Sequence, residues 1–382
     1  MLERGGRRVR AQPGLACGLM SATVGTEPAR SRGGRSAPAA ELTTPVRITE
    51  DIPVPMARNR QVGSRVSPVA DRAGAAGPGH GVGKPWPGRW SQALACAAWL
   101  GLATAAHASA PHDGGFVTSD GVRLHTLEAG PDDRAAGAGV IVLIPGWTMP
   151  AWIWDRQIAA LSAHHRVVAL DPRGQGESDL PEFGYDQDRR GHDIAELIAT
   201  LGPRPVLLVG WSLGVLDSLA YVHRSGDDRL AGLVLVDNSV GEPPAPVPRR
   251  GTGRRARPTE RAEWMARFVR SMFRQPLEEA VLDRLTEAAL RTPPDAAASL
   301  LRYDVPREYW RDAVLSVRRP VLYAVTPRLA GQARSLEADD PLARAVVFPG
   351  AGHALFVDDA ARFNAMVDEF MTQQVWPAGG GR

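Results

Sequence analysis

Six short runs of apolar and aromatic residues constrain the fold of this 382-residue chain more than any other feature. The runs are residues 140–144, 167–170, 206–209, 233–236, 321–325 and 345–348. Continuous rather than alternating apolarity is typical of strands buried on both faces, as in parallel sheets. Segments with helical spacing separate most of the runs, at residues 154–162, 189–201, 212–223, 331–338 and 360–373. We therefore predict an α/β fold: a mostly parallel sheet with helices on both faces and right-handed crossovers, preceded by a hairpin at 116–127.

One apolar run leads directly into Gly210-Trp211-Ser212-Leu213-Gly214, which reads G-x-S-x-G, and helical spacing follows through residue 222. Strand, sharp turn and helix form the context in which this pattern holds a nucleophilic serine above the sheet edge. The glycines have no Cβ, so strand and helix can approach closely. The alternative is an ordinary strand-to-helix turn with a capping serine. We take Ser212 as the candidate nucleophile.

The alternation of strands and helices stops between residues 238 and 319. A proline-rich stretch at 243–248 and an arginine-rich stretch at 249–257 predict a loop. Two or three amphipathic helices follow, at 260–274, 276–291 and 294–315. We interpret residues 241–319 as a helical lid, and 114–240 with 320–376 as the core. Such a lid would lie over the strand ends, where open α/β sheets place their sites.

The N-terminal region differs from the rest of the chain. Residues 1–88 are rich in Gly, Pro, Ala, Arg and Ser and show no apolar period, which predicts a disordered leader. Alternatively, translation starts further in. Residues 89–110 combine a positive flank, a short apolar core and an Ala106-His107-Ala108 exit, and so resemble a signal peptide rather than a membrane span. We predict export to the periplasm or the medium, with an Ala-rich linker in a cytoplasmic protein as the alternative.

The basic residues of this chain are concentrated in the leader. Residues 1–90 hold 14 Lys and Arg against six Asp and Glu, whereas the remainder carries a net charge of −5. The sequence therefore offers no basic domain for nucleic acid. Residues 249–274 contain nine arginines and could attract an acidic substrate or carrier protein. Since Lys84 is the only lysine, a solvated arginine-rich surface is the favoured interpretation.

Four motifs occur in order within the predicted core. They are Pro145-Gly146-Trp147, the octapeptide 171–178 (Asp-Pro-Arg-Gly-Gln-Gly-Glu-Ser), the 210–214 pentapeptide, and Pro349-Gly-Ala-Gly-His353. Together they make residues 114–375 resemble the α/β-hydrolase superfamily, of the small, lidded esterase and peroxidase-like type. The superfamily usually has His-Gly where this chain has Pro145-Gly146. Over a few residues, Gly-Trp beside the first strand and Gly-Trp-Ser-Leu-Gly also resemble the methyl esterase of biotin synthesis.

The resemblance implies roles for individual residues. A serine hydroxyl needs a base within hydrogen-bond reach, and the superfamily places its catalytic histidine where this chain has His353. The oxyanion would be bound by two backbone N–H groups, which are those of Leu213 and Trp147 here. Three aromatic residues are expected to flank an apolar pocket, with core packing as the alternative for the last two: Trp211, Trp264 and Phe268.

The carboxylate that orients His353 is ambiguous in the sequence. The superfamily usually places it just after the strand predicted at 321–325, where Thr326 stands here. Glu337, Asp339 and Asp340 come later, at the end of a helix. Asp237 directly follows the strand at 233–236 and should lie on the same sheet edge as Ser212. We favour Asp237 and keep the three later carboxylates as alternatives.

The leading functional hypothesis is a serine hydrolase that cleaves a small-molecule carboxylic ester, thioester or lactone through an acyl-enzyme. One alternative is a cofactor-free perhydrolase or haloperoxidase-like enzyme; another is a ligand-sensing protein without turnover on the same scaffold. Serine at position 212 argues against dehalogenase or epoxide hydrolase chemistry, for which superfamily members use Asp. The sequence has no nucleotide-binding motif or metal-ligand cluster, and its two cysteines, Cys17 and Cys96, precede the folded part. We therefore expect no cofactor and no metal.

Overall fold

The computed structural model describes residues 110–131, 139–245 and 258–377. The predicted leader, the signal-peptide-like segment up to residue 109 and the arginine-rich loop at 249–257 lie outside the described residues. In the described ranges, no helix is long and apolar enough to cross a membrane.

The described residues form one sheet of eight strands: β1 (His112–Val117), β2 (Arg123–Ala129), β3 (Val140–Ile144), β4 (Arg166–Leu170), β5 (Val206–Trp211), β6 (Leu230–Val236), β7 (Val321–Val325) and β8 (Ala343–Val347). Their order across the sheet is β1-β2-β4-β3-β5-β6-β7-β8. The first two pairings, β1 with β2 and β2 with β4, are antiparallel, and all the others are parallel. β3, β5 and β7 are buried along their whole length, as strands covered on both faces must be. The predicted mostly parallel sheet is confirmed.

In the part of the chain that the structure describes, six helices belong to the sheet layers: α1 (Asp155–Leu161), α2 (Gln187–Thr200), α3 (Leu213–Ser225), α8 (Ala330–Asp339), α9 (Leu355–Asp358) and α10 (Ala360–Phe370). The chain crosses from β3 to β4 in one direction along the sheet and from β5 to β6 in the other. Right-handed crossovers therefore place α1 and α3 on opposite faces. Accordingly, α1 packs against α10, and α2 packs against α3. The direction reverses between β3 and β5, and such a switch point is where open α/β sheets bind ligands.

The described residues between β6 and β7, which leave out 246–257, form four helices: α4 (Pro258–Ser271), α5 (Glu279–Arg291), α6 (Pro294–Ser299) and α7 (Arg307–Ser316). The helix predicted at 294–315 is therefore two helices, with a break between Ser299 and Arg307. Pro306 precedes α7 directly and disfavours a helical conformation at Val305, which explains the break. α4 packs against α5, whereas α7 packs against α3 of the core. The described residues of 241–319, which the sequence predicts to form a lid, are called the lid segment below.

Candidate active site

Ser212 occupies a sharp turn between β5 and α3, with φ at 53° and ψ at −118°. This backbone conformation is rare for a residue with a side chain. Two glycines make the turn possible: a Cβ at Gly210 would clash with the carbonyl oxygen of Gly214, and a Cβ at Gly214 would clash with that of Ile144. The close approach of strand and helix holds Ser212 at the carboxyl end of β5.

Strained backbone is concentrated at this edge of the sheet. In the described part of the chain, three residues other than glycine have positive φ: Thr148, Ser212 and Asp237. They follow β3, β5 and β6, which are parallel neighbours, so all three lie beyond the same strand ends. Backbone strain persists only where the surrounding structure enforces it, and it is frequent at functional sites.

A chain of hydrogen bonds joins three side chains at this edge. His353 Nε2 lies 2.8 Å from Ser212 Oγ, and His353 Nδ1 lies 2.8 Å from Asp237 Oδ2. A carboxylate only accepts hydrogen bonds, so Nδ1 must carry the proton that it shares with Asp237. Nε2 of a neutral imidazole is then an acceptor that faces the serine hydroxyl. The arrangement can withdraw a proton from Ser212.

Asp237 is 1% exposed, and both of its carboxylate oxygens are hydrogen-bonded. Oδ1 accepts from the backbone N–H of Thr326 at 2.7 Å and from its hydroxyl at 2.8 Å. Burial opposes ionisation of Asp237, but the hydrogen bond and electrostatic attraction to His353, the charge of Arg328 and the Thr326 N–H outweigh it and lower the pKa. Asp237 is therefore ionised at neutral pH.

The three alternative carboxylates have partners elsewhere. Asp339 pairs with Arg311 at 2.7 Å, Asp340 accepts from the N–H of Leu342 at 2.9 Å, and Glu337 accepts from the N–H of Ala345 at 2.8 Å. The structure thus brings Asp237 to His353, and it places Thr326 at the end of β7. The local sequence shows only that position 326 lacks an acid, and it carries no signal that Thr326 donates to the acid one strand away.

Trp211 lies beneath the histidine loop. Its indole N–H donates to the carbonyl of His353 at 3.0 Å, and its ring centroid is 5.3 Å from the imidazole. Trp211 is only 1% exposed. It supports the backbone of His353 from the core side, and its place beside a substrate pocket stays a prediction.

The loop after β3 is held by a side chain that sequence reasoning did not single out. Gln175 accepts from the N–H of Thr148 at 2.8 Å and donates to the carbonyls of Gly146 at 3.1 Å and Met149 at 3.2 Å. Three bonds from one buried amide fix the backbone on both sides of Trp147. The one indication of this role in the sequence is that Gln175 lies within the 171–178 motif.

Trp147 connects this loop to the lid segment. Its indole N–H donates to the carbonyl of Ala297 in α6 at 2.8 Å. Its ring meets two rings of α4 edge-on, with centroid distances of 6.0 Å to Trp264 and 5.2 Å to Phe268. Phe268 is 9% exposed and Trp264 is 46% exposed, so this aromatic cluster reaches from the core to the surface. Trp264 and Phe268 therefore contact the predicted oxyanion loop through Trp147.

Residues 141–366 match a model described as the alpha/beta hydrolase family, which is more than half of the chain. This chain belongs to that family. The match begins within β3 and contains β4 to β8, the 210–214 turn and the loop of His353.

Individual relatives are similar at modest identity. A non-heme chloroperoxidase from Streptomyces lividans is 36% identical over 32% of this chain and 44% of its own length. A bifunctional esterase/perhydrolase from Acinetobacter calcoaceticus is 36% identical over 32% of this chain and 43% of its own length. The chain thus spans less than half the length of these relatives. The solved structure of an esterase from Rhodococcus sp. ECU1013 superposes with a TM-score of 0.59 at 26% identity, covering 69% of this chain and 99% of that one.

Proposed function

We propose that this protein is a serine hydrolase that cleaves a carboxylic ester, thioester or lactone. The observation that carries the proposal is the hydrogen-bond chain from Asp237 through His353 to Ser212, with 2.8 Å at each of the two contacts of the imidazole. The relatives that are esterases support the same reaction class.

In the proposed reaction, Ser212 Oγ attacks the carbonyl carbon of the substrate while its proton passes to His353 Nε2. The carbonyl oxygen becomes an oxyanion, which the backbone N–H groups of Leu213 and Trp147 bind. His353 then gives its proton to the leaving oxygen or sulfur, and an acyl-enzyme on Ser212 remains. Water then attacks the acyl-enzyme while His353 again takes up the proton, and the carboxylic acid is released as Ser212 is restored. Asp237 stays ionised throughout and stabilises the imidazolium that forms twice per cycle.

The aromatic residues of the lid segment favour a substrate with an apolar acyl or aryl group beside the reacting carbonyl. Trp264 and Phe268 stack with parallel rings, 5.4 Å between centroids, and their cluster continues into Trp147. Aromatic walls with few polar groups are typical of pockets that bind apolar ligands. Because Trp147 also provides an oxyanion donor in this scheme, the acyl group would lie against the cluster while its carbonyl oxygen meets the backbone.

Perhydrolysis is the second candidate, and the named activities of two relatives favour it. The acyl-enzyme would be the same, with hydrogen peroxide instead of water as the acceptor and a peroxycarboxylic acid as the product. No redox group is needed, since the O–O bond stays intact in this step.

The decisive experiment labels the protein with a fluorophosphonate, which phosphonylates an activated serine. We expect a single adduct on the peptide of Ser212, loss of the adduct in Ser212→Ala, and normal labelling in Ser225→Ala, a change at the exposed serine that ends α3. Ser212→Ala should also lose turnover of every ester in a panel graded by acyl length. Undiminished turnover in Ser212→Ala would refute the proposed nucleophile, whereas labelling that never leads to turnover would indicate a ligand sensor.

Competition between acceptors separates the two candidate reactions. Hydrolysis of one ester is followed in rising hydrogen peroxide, and both the carboxylic acid and the peroxycarboxylic acid are measured. Product that remains carboxylic acid throughout supports a hydrolase, and a growing fraction of peroxycarboxylic acid supports a perhydrolase.

A further inference from the structure

We propose that Asp358 is a positioning residue that fixes His353 by tying its loop to the lid segment. The proposal rests on the proposed function, because it assigns Asp358 a role through the base of that reaction. Asp358 is the last residue of α9, five positions after His353.

The carboxylate of Asp358 joins two segments that are distant in sequence. Its Oδ2 accepts from the N–H of Gly352 at 2.7 Å and from the N–H of Arg274 at 2.8 Å. Its Oδ1 accepts from the N–H of Gln275 at 3.1 Å. Arg274 and Gln275 follow α4, so one half-buried carboxylate holds the end of that helix against the residue before His353. Hydrogen bonds to an ionised acceptor are the stronger ones.

A second contact joins the same two segments. The carbonyl of Met272 accepts from the N–H of Ala354 at 3.0 Å, directly after His353. The segments are so close that a Cβ at Gly352 would lie 2.6 Å from the carbonyl oxygen of Met272. The lid segment therefore holds the backbone on both sides of the histidine.

His353 is also supported from the core, where Trp211 donates to its carbonyl. His353 is thus held between a fixed core residue and the end of α4. Its imidazole must meet Ser212 and Asp237 at once, so a small shift of its backbone lengthens both contacts. Removal of the carboxylate of Asp358 should loosen the side that faces the lid, while the core side stays in place.

This arrangement predicts which kinetic constant changes. A displaced base slows both proton transfers but leaves the acyl pocket intact, so kcat should fall while KM stays near its original value. Misplacement of a reacting group by about 1 Å costs on the order of 100-fold in rate. We expect a loss of about 10- to 100-fold in kcat for Asp358→Asn, because the amide oxygen replaces only one carboxylate oxygen and the NH₂ must then face a backbone N–H that needs an acceptor.

The test compares Asp358→Asn with Asp359→Asn, a change at the carboxylate that directly follows α9. Competent sites are counted by the end point of fluorophosphonate labelling, and kcat and KM are measured per labelled site on one activated ester. A loss confined to kcat in Asp358→Asn, with Asp359→Asn within about twofold of the wild type, supports the proposal. Equal kcat in the two variants overturns it. Absence of labelling and turnover in the wild type would instead refute the proposed function.

Hydrogen exchange of the unmodified protein provides a second measurement that needs no variant. One carboxylate holds the amides of Gly352, Arg274 and Gln275, so peptides with these amides should be protected together and should exchange at similar rates. Fast exchange at residues 274–275 beside a protected Gly352 would show that the lid segment moves independently of the histidine loop, and it would overturn the proposal.

Discussion

Replacement of Asp237 by asparagine tests the site most sharply, because the structure dictates how the amide must lie. The N–H of Thr326 can only donate, and it lies 2.7 Å from Asp237 Oδ1. In Asp237→Asn the amide oxygen must therefore take that position, and the amide NH₂ must face His353 Nδ1. A donor opposite Nδ1 forces the imidazole proton onto Nε2, which can then no longer accept the proton of Ser212.

The expected magnitude follows from this tautomer argument. The wrong tautomer at a buried serine–histidine–acid site lowers kcat by about 10⁴, as in a serine protease with the same change. That factor corresponds to about 5.5 kcal/mol of lost transition-state stabilisation. The assay is kcat on an activated ester per labelled site, with thermal unfolding recorded to show that the variant folds.

Three matched variants provide the control: Glu337→Gln, Asp339→Asn and Asp340→Asn. Each removes one of the carboxylates that the sequence left as alternatives and that the structure places with other partners. We expect their kcat to stay within about threefold of the wild type, as is usual for changes outside a site. Near-normal turnover in Asp237→Asn, together with collapse in one of these three, would refute the reasoning and move the acid to the later loop.

Three further predictions follow from the contacts around the site. Trp264→Ala and Phe268→Ala should change the preference among long acyl chains but spare small activated esters; equal losses across a chain-length series would contradict a role in selectivity. Thr326→Val removes one donor to the buried acid and should lower kcat about tenfold, whereas Thr326→Ser should retain activity. The hydrogen bond to Asp171 raises the pKa of His125 despite the opposing effect of burial. Protonated His125 therefore stabilises the fold fully below pH 6.5, the ordinary pKa of histidine, and this contribution is lost as pH rises through the pKa of the folded state. Urea unfolding from pH 5 to 9 should show this loss in the wild type and not in His125→Gln.

Local patterns in the sequence were enough to identify most elements and the family. Uninterrupted apolarity at 140–144, 206–209 and 321–325 reports burial on both faces, and these runs became β3, β5 and β7. The turn at 210–214 could also be predicted, because the glycines and the serine that form it lie within five consecutive residues. The apolar spacing at 294–315 predicts one helix, and this prediction is wrong because Pro306 interrupts the helix. The segment forms α6 and α7 instead.

Which side chains meet depends on the packing of the whole chain. Asp237 and His353 are 116 positions apart, and their 2.8 Å contact depends on the order of the strands across the sheet, which no local period encodes. The same holds for Thr326, which reaches Asp237 because β6 and β7 are neighbours. In the sequence, nothing distinguishes Asp358 from an ordinary acidic residue near a helix terminus. Its role as an acceptor for three backbone N–H groups exists only because the chain brings the end of α4 against the histidine loop.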